Sequence, residues 1–138
     1  MLVALQLAAL AAVVLPAGAA SWHPAGYVPL AAALAIGLWT LLHNRPGNFG
    51  IFPEPRQNAR LVTTGPYALV RHPMYLAVLL FAAGFALGWR GLAHAAAFAL
   101  LAVVLHVKAS REERLLARKF PEYRDYAART ARIVPGLR

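Results

Sequence analysis

Four apolar stretches dominate the pattern of hydrophobic and polar positions along the chain. They cover Leu2–Ala20, Tyr27–Leu42, Met74–Trp89 and Gly91–Val107, and the first is interrupted by Pro16. A membrane-crossing helix needs about 20 apolar residues, with a lower limit of about 17. The pattern therefore predicts an all-α, polytopic membrane bundle of about four short transmembrane helices, followed by a C-terminal helical segment.

Basic residues are distributed unevenly among the segments that join these stretches. The connection 21–26 has no Lys or Arg and the third has only Arg90, whereas the second, 43–73, has four arginines. The C-terminal segment carries Lys108, Lys119 and seven arginines. Positive residues favour the cytoplasmic side of a membrane. We therefore expect a multi-pass protein of the inner or cytoplasmic membrane, with both termini and the second connection in the cytoplasm.

Composition agrees with a membrane protein. The chain has 138 residues, which predicts a single domain over 1–138. Hydrophobic residues make up 60% and charged residues 14%, against roughly a quarter charged residues in soluble domains. The net charge is +9, but nine of the fourteen basic residues lie in 108–138, where they favour anionic membrane lipid rather than nucleic acid as a partner. The absence of cysteine excludes disulfides, thiolate metal sites and a cysteine nucleophile, and we expect no metal.

The first apolar stretch has an alternative interpretation. Ala17-Gly18-Ala19-Ala20 has the small residues of a signal-peptidase site. A signal peptide also carries a positive n-region, and none precedes Leu2. This favours a retained helix over a cleaved one.

The acidic residues all lie outside the apolar stretches. They are Glu54, Glu112, Glu113, Glu122 and Asp125. A cation-coupled transporter normally needs an ionisable group inside the membrane. Their positions therefore disfavour small-molecule export.

The third apolar stretch begins with an unusual polar segment, Arg71-His72-Pro73-Met74-Tyr75. Proline suits the first turn of a helix, so we expect Pro73 to begin it. The N–H groups of residues 74–76 would then be free at the cytoplasmic interface and would attract an anion. The alternative is a plain entry turn in which Arg71 reaches out to phosphate headgroups.

A pair of carboxylates follows the fourth apolar stretch. If its helix continues past Val107, Lys108 and Glu112 lie four residues apart on one face. Glu113 then lies about 100° further round and contacts different partners. The alternative is a solvated helix over 108–120 whose charges pair among themselves.

Small residues also recur at helical spacing. Gly84 and Gly88 form a small-xxx-small pair, which lets membrane helices approach closely. General richness in alanine is the alternative explanation.

Taken together, several motifs resemble the isoprenylcysteine carboxyl methyltransferase and phospholipid methyltransferase superfamily. They are Leu61–Tyr67, Arg71–Tyr75, Glu112–Leu116 and the tail Phe120–Tyr126, in this order and spacing. The resemblance covers about residues 45–138. It implies an integral membrane enzyme that uses S-adenosyl-L-methionine at the cytoplasmic face, in a pocket closed by the C-terminal segment.

The resemblance also implies the site residues. The expected cofactor-binding residues are Leu61, Val62, Tyr67, Arg71, His72, Pro73, Met74, Tyr75, Glu112 and Glu113. Glu112 is expected to bind the cofactor's ammonium group, and His72, Tyr75 and Glu113 are the candidate catalytic residues. Lys108 takes the position of the family's substrate-binding arginine, and a lysine cannot make the bidentate contact of a guanidinium.

The acceptor stays open at this point. A lipophilic carboxylate, a thiol or a phospholipid amine would fit, and an amine would need a base such as His72 or Glu113. The alternative function is that of a non-catalytic lipid-binding or assembly protein. Lys108, together with Ala77 in place of the family's glycine, motivates it.

Overall fold

The helices of the computed structural model follow the apolar stretches. The structure describes residues 1–16, 21–44 and 60–137. Its helices are α1 (Leu2–Val14), α2 (Tyr27–His43), α3 (Pro66–Leu69), α4 (Pro73–Trp89), α5 (Leu92–Lys119) and α6 (Tyr123–Arg129), and a 3₁₀ turn at Pro24–Gly26 precedes α2. The described residues form no strand, and Val70 and Ala131 make one isolated parallel bridge. The prediction of an all-α fold is confirmed.

The predicted helix bounds hold best where the sequence carries a clear start signal. Helices α2 and α4 agree with the prediction to within one residue, and Pro73 begins α4 as expected. Helix α1 instead ends at Val14, because Pro16 restricts Leu15 to extended backbone, seen at φ −68° and ψ 132°. The prediction of helix at residues 15 and 16 is therefore wrong, and 17–20, with the candidate cleavage site, lie outside the described residues.

Two helical segments are long and apolar enough to cross a membrane. They are Pro24–His43, with a mean hydropathy of 1.7, and Leu92–Lys119, with 1.8. Helices α1 and α4 are apolar but shorter. The 13 residues of α1 extend about 20 Å, less than the hydrocarbon thickness of about 30 Å. The number of four spans stays a prediction.

The core lies where α1, α4 and α5 meet. Its buried side chains are Ala9, Val13, Ala82, Leu101 and Leu105. Many leucines and valines point away from this core and are exposed. Large exposed apolar surfaces mark contact with a partner or a membrane. Here the exposed apolar side chains lie on the outer faces of the helices.

The end of α1 contacts the last residue of α4 and the first turn of α5. The indole Nε1 of Trp89 donates to the Val14 carbonyl at 3.2 Å, and His94 Nε2 lies 3.0 Å from the Leu15 carbonyl. Carbonyls at a helix C-terminus need such partners. The first apolar segment thus packs as a helix of the bundle.

Helices α2 and α4 approach closely at glycines. A Cβ on Gly84 would lie 2.6 Å from Leu30 Cγ and 2.9 Å from the Gly26 carbonyl oxygen. A Cβ on Gly88 would collide with the Trp22 ring. The small-residue pair therefore serves close helix packing, as the sequence predicts.

Candidate functional site

The segment that leads into α4 is shaped by a glycine and two prolines. Gly65 has a φ of +60°, and a Cβ there would lie 2.6 Å from atoms of the His43 ring. The positive φ and the lack of room for a side chain both require glycine at this position. Pro66 then begins α3, and Pro73 begins α4. This path brings Tyr67, at the start of α3, and His72, the N-cap of α4, to the same end of the bundle.

More backbone N–H groups in the first turn of α4 have hydrogen-bond partners than the sequence predicts. The backbone N–H groups of Tyr75 and Leu76 donate to the His72 carbonyl at 3.0 and 3.1 Å. The expectation that these two groups stay free is wrong, because the N-cap residue itself supplies an acceptor. The expectation for the third group, the Met74 N–H, stays a prediction.

Helix α5 continues without a break past Val107 and carries the charged residues to the start of α4. Lys108 is the first charged residue after its apolar part, so Glu112 and Glu113 lie beyond the apolar part of the helix. The two carboxylates face different partners, as expected from their positions on the helix. Their partners come from other elements, so the alternative of a solvated helix that pairs its own charges is wrong.

Glu112 lies against two rings. The Tyr75 hydroxyl donates to Glu112 Oε1 at 2.6 Å, and His72 Nδ1 is 3.5 Å from Glu112 Oε2. The His72 and Tyr75 rings are stacked, with centroids 5.1 Å apart and 7° between their planes. Among the described residues no guanidinium is paired with Glu112, so this carboxylate keeps capacity for a further cation.

Glu113 is held much more completely. Its Oε1 accepts from Arg71 Nε at 2.8 Å and lies 3.2 Å from His72 Nε2. Its Oε2 accepts from Arg132 Nη2 at 2.8 Å. Both oxygens are therefore engaged by groups that come from distant parts of the chain.

These contacts set the charge states of the cluster. Burial opposes protonation of His72, but the hydrogen bonds and negative charges of Glu112 and Glu113 outweigh it and raise the pKa of His72. Burial also disfavours a charged Glu113, yet its bonds with His72 and Arg71 dominate and lower the pKa of Glu113 to about 2. Glu113 is thus an ion-pair partner over the physiological range and a weak base.

Arg71 also fastens the C-terminal segment over the cluster. Its Nη1 donates to the carbonyls of Ala127, at 2.7 Å, and Thr130. The backbone N–H groups of Arg71 and His72 donate to the Ala131 and Arg132 carbonyls. The Arg71 side chain is 8% exposed, so the alternative in which it reaches out to headgroups is wrong.

Tyr67 lies at the edge of the same network. Its hydroxyl accepts from Asn44 Nδ2 at 3.0 Å, and its carbonyl accepts from the Tyr126 hydroxyl at 2.6 Å. Burial raises the pKa of Tyr67 to about 12. The hydrogen bond from Asn44 lowers this pKa and the negative charge of Glu112 raises it, but both effects are smaller than that of burial. The phenol stays neutral and can act as a hydrogen-bond donor.

Lys108 is buried between α1 and α4. Only 3% of the residue is exposed, and its ammonium donates to Gln6 Oε1 at 3.1 Å. Its Nζ also lies 5.3 Å from the centroid of the Tyr75 ring, within the range of a cation–π contact. Lys108 and Glu112 therefore reach the same tyrosine from one face of α5.

The other predicted site residues lie near the cluster but outside its polar contacts. Pro73 is buried in the first turn of α4, and Met74 beside it is half-buried. Leu61 and Val62 are half-buried in the extended segment before Gly65. Their role in cofactor binding stays a prediction.

Sequence reasoning missed several contributors to this site. Tyr126 belongs to the tail motif but was not expected to contact the site. The residues missed altogether are Gln6, Asn44 and the backbone carbonyls of residues 127–132. Gln6 carried a usable signal, since it is the lone polar residue in the apolar stretch of α1. The others depend on long-range contacts that leave no local pattern.

Metal binding is not tested by this arrangement. Within residues 1–16, 21–44 and 60–137, no group of three or more His, Asp or Glu side chains is placed as a metal site would need. The expectation of no metal stays a prediction.

Comparison with known proteins gives two curated relatives. Over 88 residues, 63% of this chain and 41% of the relative, the sequence is 42% identical to the cobalt-zinc-cadmium resistance protein CzcN of Cupriavidus metallidurans. Over 110 residues, 78% of this chain and 52% of the relative, it is 34% identical to the nickel-cobalt-cadmium resistance protein NccN of Alcaligenes xylosoxydans xylosoxydans. The chain spans about half or less of the length of these relatives. No solved structure matches.

The family model described as phospholipid methyltransferase matches residues 24–123. This range contains α2 to α5 and every predicted site residue. It agrees with the superfamily that the sequence motifs indicate and with the apolar helices of a membrane protein. The chain therefore belongs to the phospholipid methyltransferase family.

Proposed function

We propose that this protein is an S-adenosyl-L-methionine-dependent methyltransferase that acts on a lipophilic acceptor in the membrane. The observation that carries the proposal is the Glu112 carboxylate, which has no guanidinium partner among the described residues and lies beside two stacked rings and a buried lysine. Family membership supports the reaction class.

The residues fit a cationic cofactor. Its sulfonium and ammonium groups need a carboxylate with free capacity and aromatic faces nearby, and Glu112, Tyr75 and His72 provide both. Glu113 is less suited to this role, because both of its oxygens already have cationic partners. When bound, the cofactor supplies an electrophilic methyl group.

In this proposal the side chains bind and orient rather than form covalent intermediates. Glu112 binds the ammonium group, and the Tyr75 hydroxyl fixes the orientation of that carboxylate. The Arg71–Glu113–Arg132 network positions His72 and closes the C-terminal segment over the site. Alignment of a methyl donor with its acceptor supplies much of the rate of an in-line displacement.

Lys108 is the candidate contact for the acceptor. A carboxylate or thiolate acceptor would meet its ammonium and would need no base. An amine acceptor must lose a proton. Glu113, whose pKa is about 2, is a weak base, and His72, whose pKa is raised, could accept that proton only from its neutral form. We also propose that the site faces the cytoplasm, because the basic residues concentrate on that side of the bundle.

The test is calorimetric binding of S-adenosylhomocysteine to the detergent-purified protein. Glu112→Gln keeps an acceptor for Tyr75 but removes the charge, so we expect affinity to fall by roughly tenfold to a hundredfold, as for loss of a charge-assisted hydrogen bond. Glu122→Gln, which removes an exposed carboxylate at α6, is the matched control and should bind normally. Equal affinity in both variants would contradict the proposal.

A second candidate is a non-catalytic lipid-binding or assembly protein. The Lys108–Gln6 bond favours it, because the position expected to hold substrate already has an internal partner. It predicts a folded protein that fails to bind S-adenosylhomocysteine and depends on anionic lipid. The curated relatives are named as metal resistance proteins, so either of the two proposed activities would act in the context of metal resistance.

A further inference from the structure

A cleft of about 490 Å³ lies between the C-terminal part of α5 and α6. Its α5 wall is a single helical stripe at positions 110, 113, 114 and 117, and Tyr123, Arg124 and Arg132 line the other side. Residues three and four apart share a helix face, and this face differs from the one that carries Lys108 and Glu112. The cleft therefore lies behind the candidate methyl-transfer site and shares Glu113 with it.

The cleft carries excess positive charge. Arg114, Arg124 and Arg132 line it, against the single carboxylate of Glu113. That carboxylate is already engaged through both oxygens by Arg71, His72 and Arg132. Arg114 and Arg124 are exposed, and within the described part of the chain neither makes a hydrogen bond or an ion pair. Two guanidinium groups are thus available to an anion.

A buried hydroxyl lies at the same place. The Tyr123 hydroxyl is buried and has no hydrogen-bond partner among the described residues. Buried polar groups normally have partners, and Tyr123 is one of the residues that line the cleft.

The position of the cleft along α5 indicates the source of an anion. The apolar part of α5 ends at Val107, and a helix rises 1.5 Å per residue. Ser110 therefore lies about 5 Å and Ala117 about 15 Å beyond the apolar part. The headgroup zone of each leaflet is on the order of 5–8 Å thick, so the cleft begins at headgroup depth and extends beyond it into the water.

We propose that this cleft binds a phosphate group, namely that of an anionic phospholipid headgroup. Arginine binds phosphate oxygens in a bidentate manner, and two arginines on facing helices can hold one phosphate between them. The proposal does not rest on the proposed methyl transfer. The cleft shares Glu113 and Arg132 with that site, but its two unpaired arginines lie apart from the face of α5 that carries Lys108 and Glu112, and lipid binding stands whether or not the protein binds S-adenosylhomocysteine.

The test compares two double variants of the full-length protein by native mass spectrometry with phosphatidylglycerol or phosphatidylcholine. Arg114→Gln/Arg124→Gln removes the two unpaired arginines of the cleft. Arg118→Gln/Arg129→Gln is the matched control, since it removes two exposed arginines from the same helices outside the cleft. Both lose general attraction to an anionic surface, but we expect the cleft variant to lose about tenfold more phosphatidylglycerol affinity.

A competition arm distinguishes the two sources of phosphate. Displacement of phosphatidylglycerol by inorganic phosphate at millimolar concentration would assign the site to a soluble phosphate, whereas resistance to it would assign the site to lipid. Equal losses of affinity in the two double variants would overturn the proposal. If the cleft variant unfolds, Arg114→Lys/Arg124→Lys keeps the charge, removes the bidentate contact and should still weaken binding more than the control.

Discussion

Arg71 Nε lies 2.8 Å from Glu113 Oε1, although 42 residues separate the two in sequence. Their side chains are 8% and 12% exposed. Removing one partner of a buried pair leaves an uncompensated charge and is strongly destabilising. Arg71 lies just before α4, Glu113 lies on α5, and Arg71 also binds carbonyls of the C-terminal segment. The geometry of the candidate site and the stability of this end of the bundle therefore depend on the same ion pair.

The ion cluster makes stability depend on pH. The pKa of His72 is raised on folding, so its contribution is complete below about 6.5, its usual value, and is lost as pH rises through the folded value. The pKa of Glu113 is lowered to about 2, so its contribution is complete above about 4.5 and is lost as pH falls towards 2. We expect the thermal midpoint of the detergent-solubilised protein to be highest between these limits.

The variant His72→Gln isolates the alkaline side of this profile. Its deficit in thermal midpoint relative to the natural protein should be larger at pH 5.5 than at pH 9. A deficit that is the same at both pH values would contradict the assignment. His23→Gln, far from the carboxylates, serves as the control.

The glycine contacts between α2 and α4 predict a sharp difference between two conservative substitutions. Gly84→Ala places a Cβ 2.9 Å from a backbone oxygen of Gly26 and should cost about 1–3 kcal/mol. At Gly37 the nearest atom to an added Cβ is Ala77 Cβ at 3.8 Å. Gly37→Ala should therefore be neutral or stabilise the helix by up to about 1 kcal/mol. Unfolding midpoints in mild detergent measure both, and equal effects would contradict the close approach.

Two tyrosines of α6 form a second matched pair. Tyr126 donates to the Tyr67 carbonyl at 2.6 Å, whereas the Tyr123 hydroxyl has no partner among the described residues. Tyr126→Phe should lower the free energy of unfolding by about 0.5–1.5 kcal/mol. Tyr123→Phe should leave it unchanged or raise it slightly, because the lost hydroxyl makes no bond. Equal losses would show that the two hydroxyls are equivalent.

The contact between Gln6 and Lys108 predicts an energetic coupling between α1 and α5. Gln6→Leu leaves the ammonium of a buried lysine without its hydrogen bond, and Lys108→Met leaves the amide oxygen without a donor. A double-mutant cycle of unfolding free energies should give a coupling of about 0.5–3 kcal/mol. Strict additivity of the two substitutions would contradict the contact.

The sequence predicts the parts of this fold that have local causes. Pro73 marks the start of α4 because its ring suits the first turn. Pro16 is a local cause of the same kind that the predicted bounds overlooked, since it restricts Leu15 and α1 ends at Val14. The meeting of Arg71 and His72 with the two glutamates was implied by the family resemblance. Helix periodicity alone predicts only that Glu112 and Glu113 point in different directions from α5.

The rest could not be predicted from local pattern. The bridge between Val70 and Ala131 joins two residues with no repeating signal, and Arg132, which follows it directly, binds Glu113. Asn44 meets Tyr67 across the segment 45–59, whose turn-rich sequence lies outside the described residues. Such contacts depend on the path of the whole chain rather than on the residues nearby.

The bridge at Val70 and Ala131 also has a consequence for biogenesis. Since Glu113 is neutralised by arginines from both sides of it in sequence, the ribosome must complete residue 132 before the ion cluster can assemble. Helices α1 to α5 are complete earlier, while the site is still open. Formation of these helices and maturation of the site are thus separate events during synthesis, and the second depends on residues that follow α6.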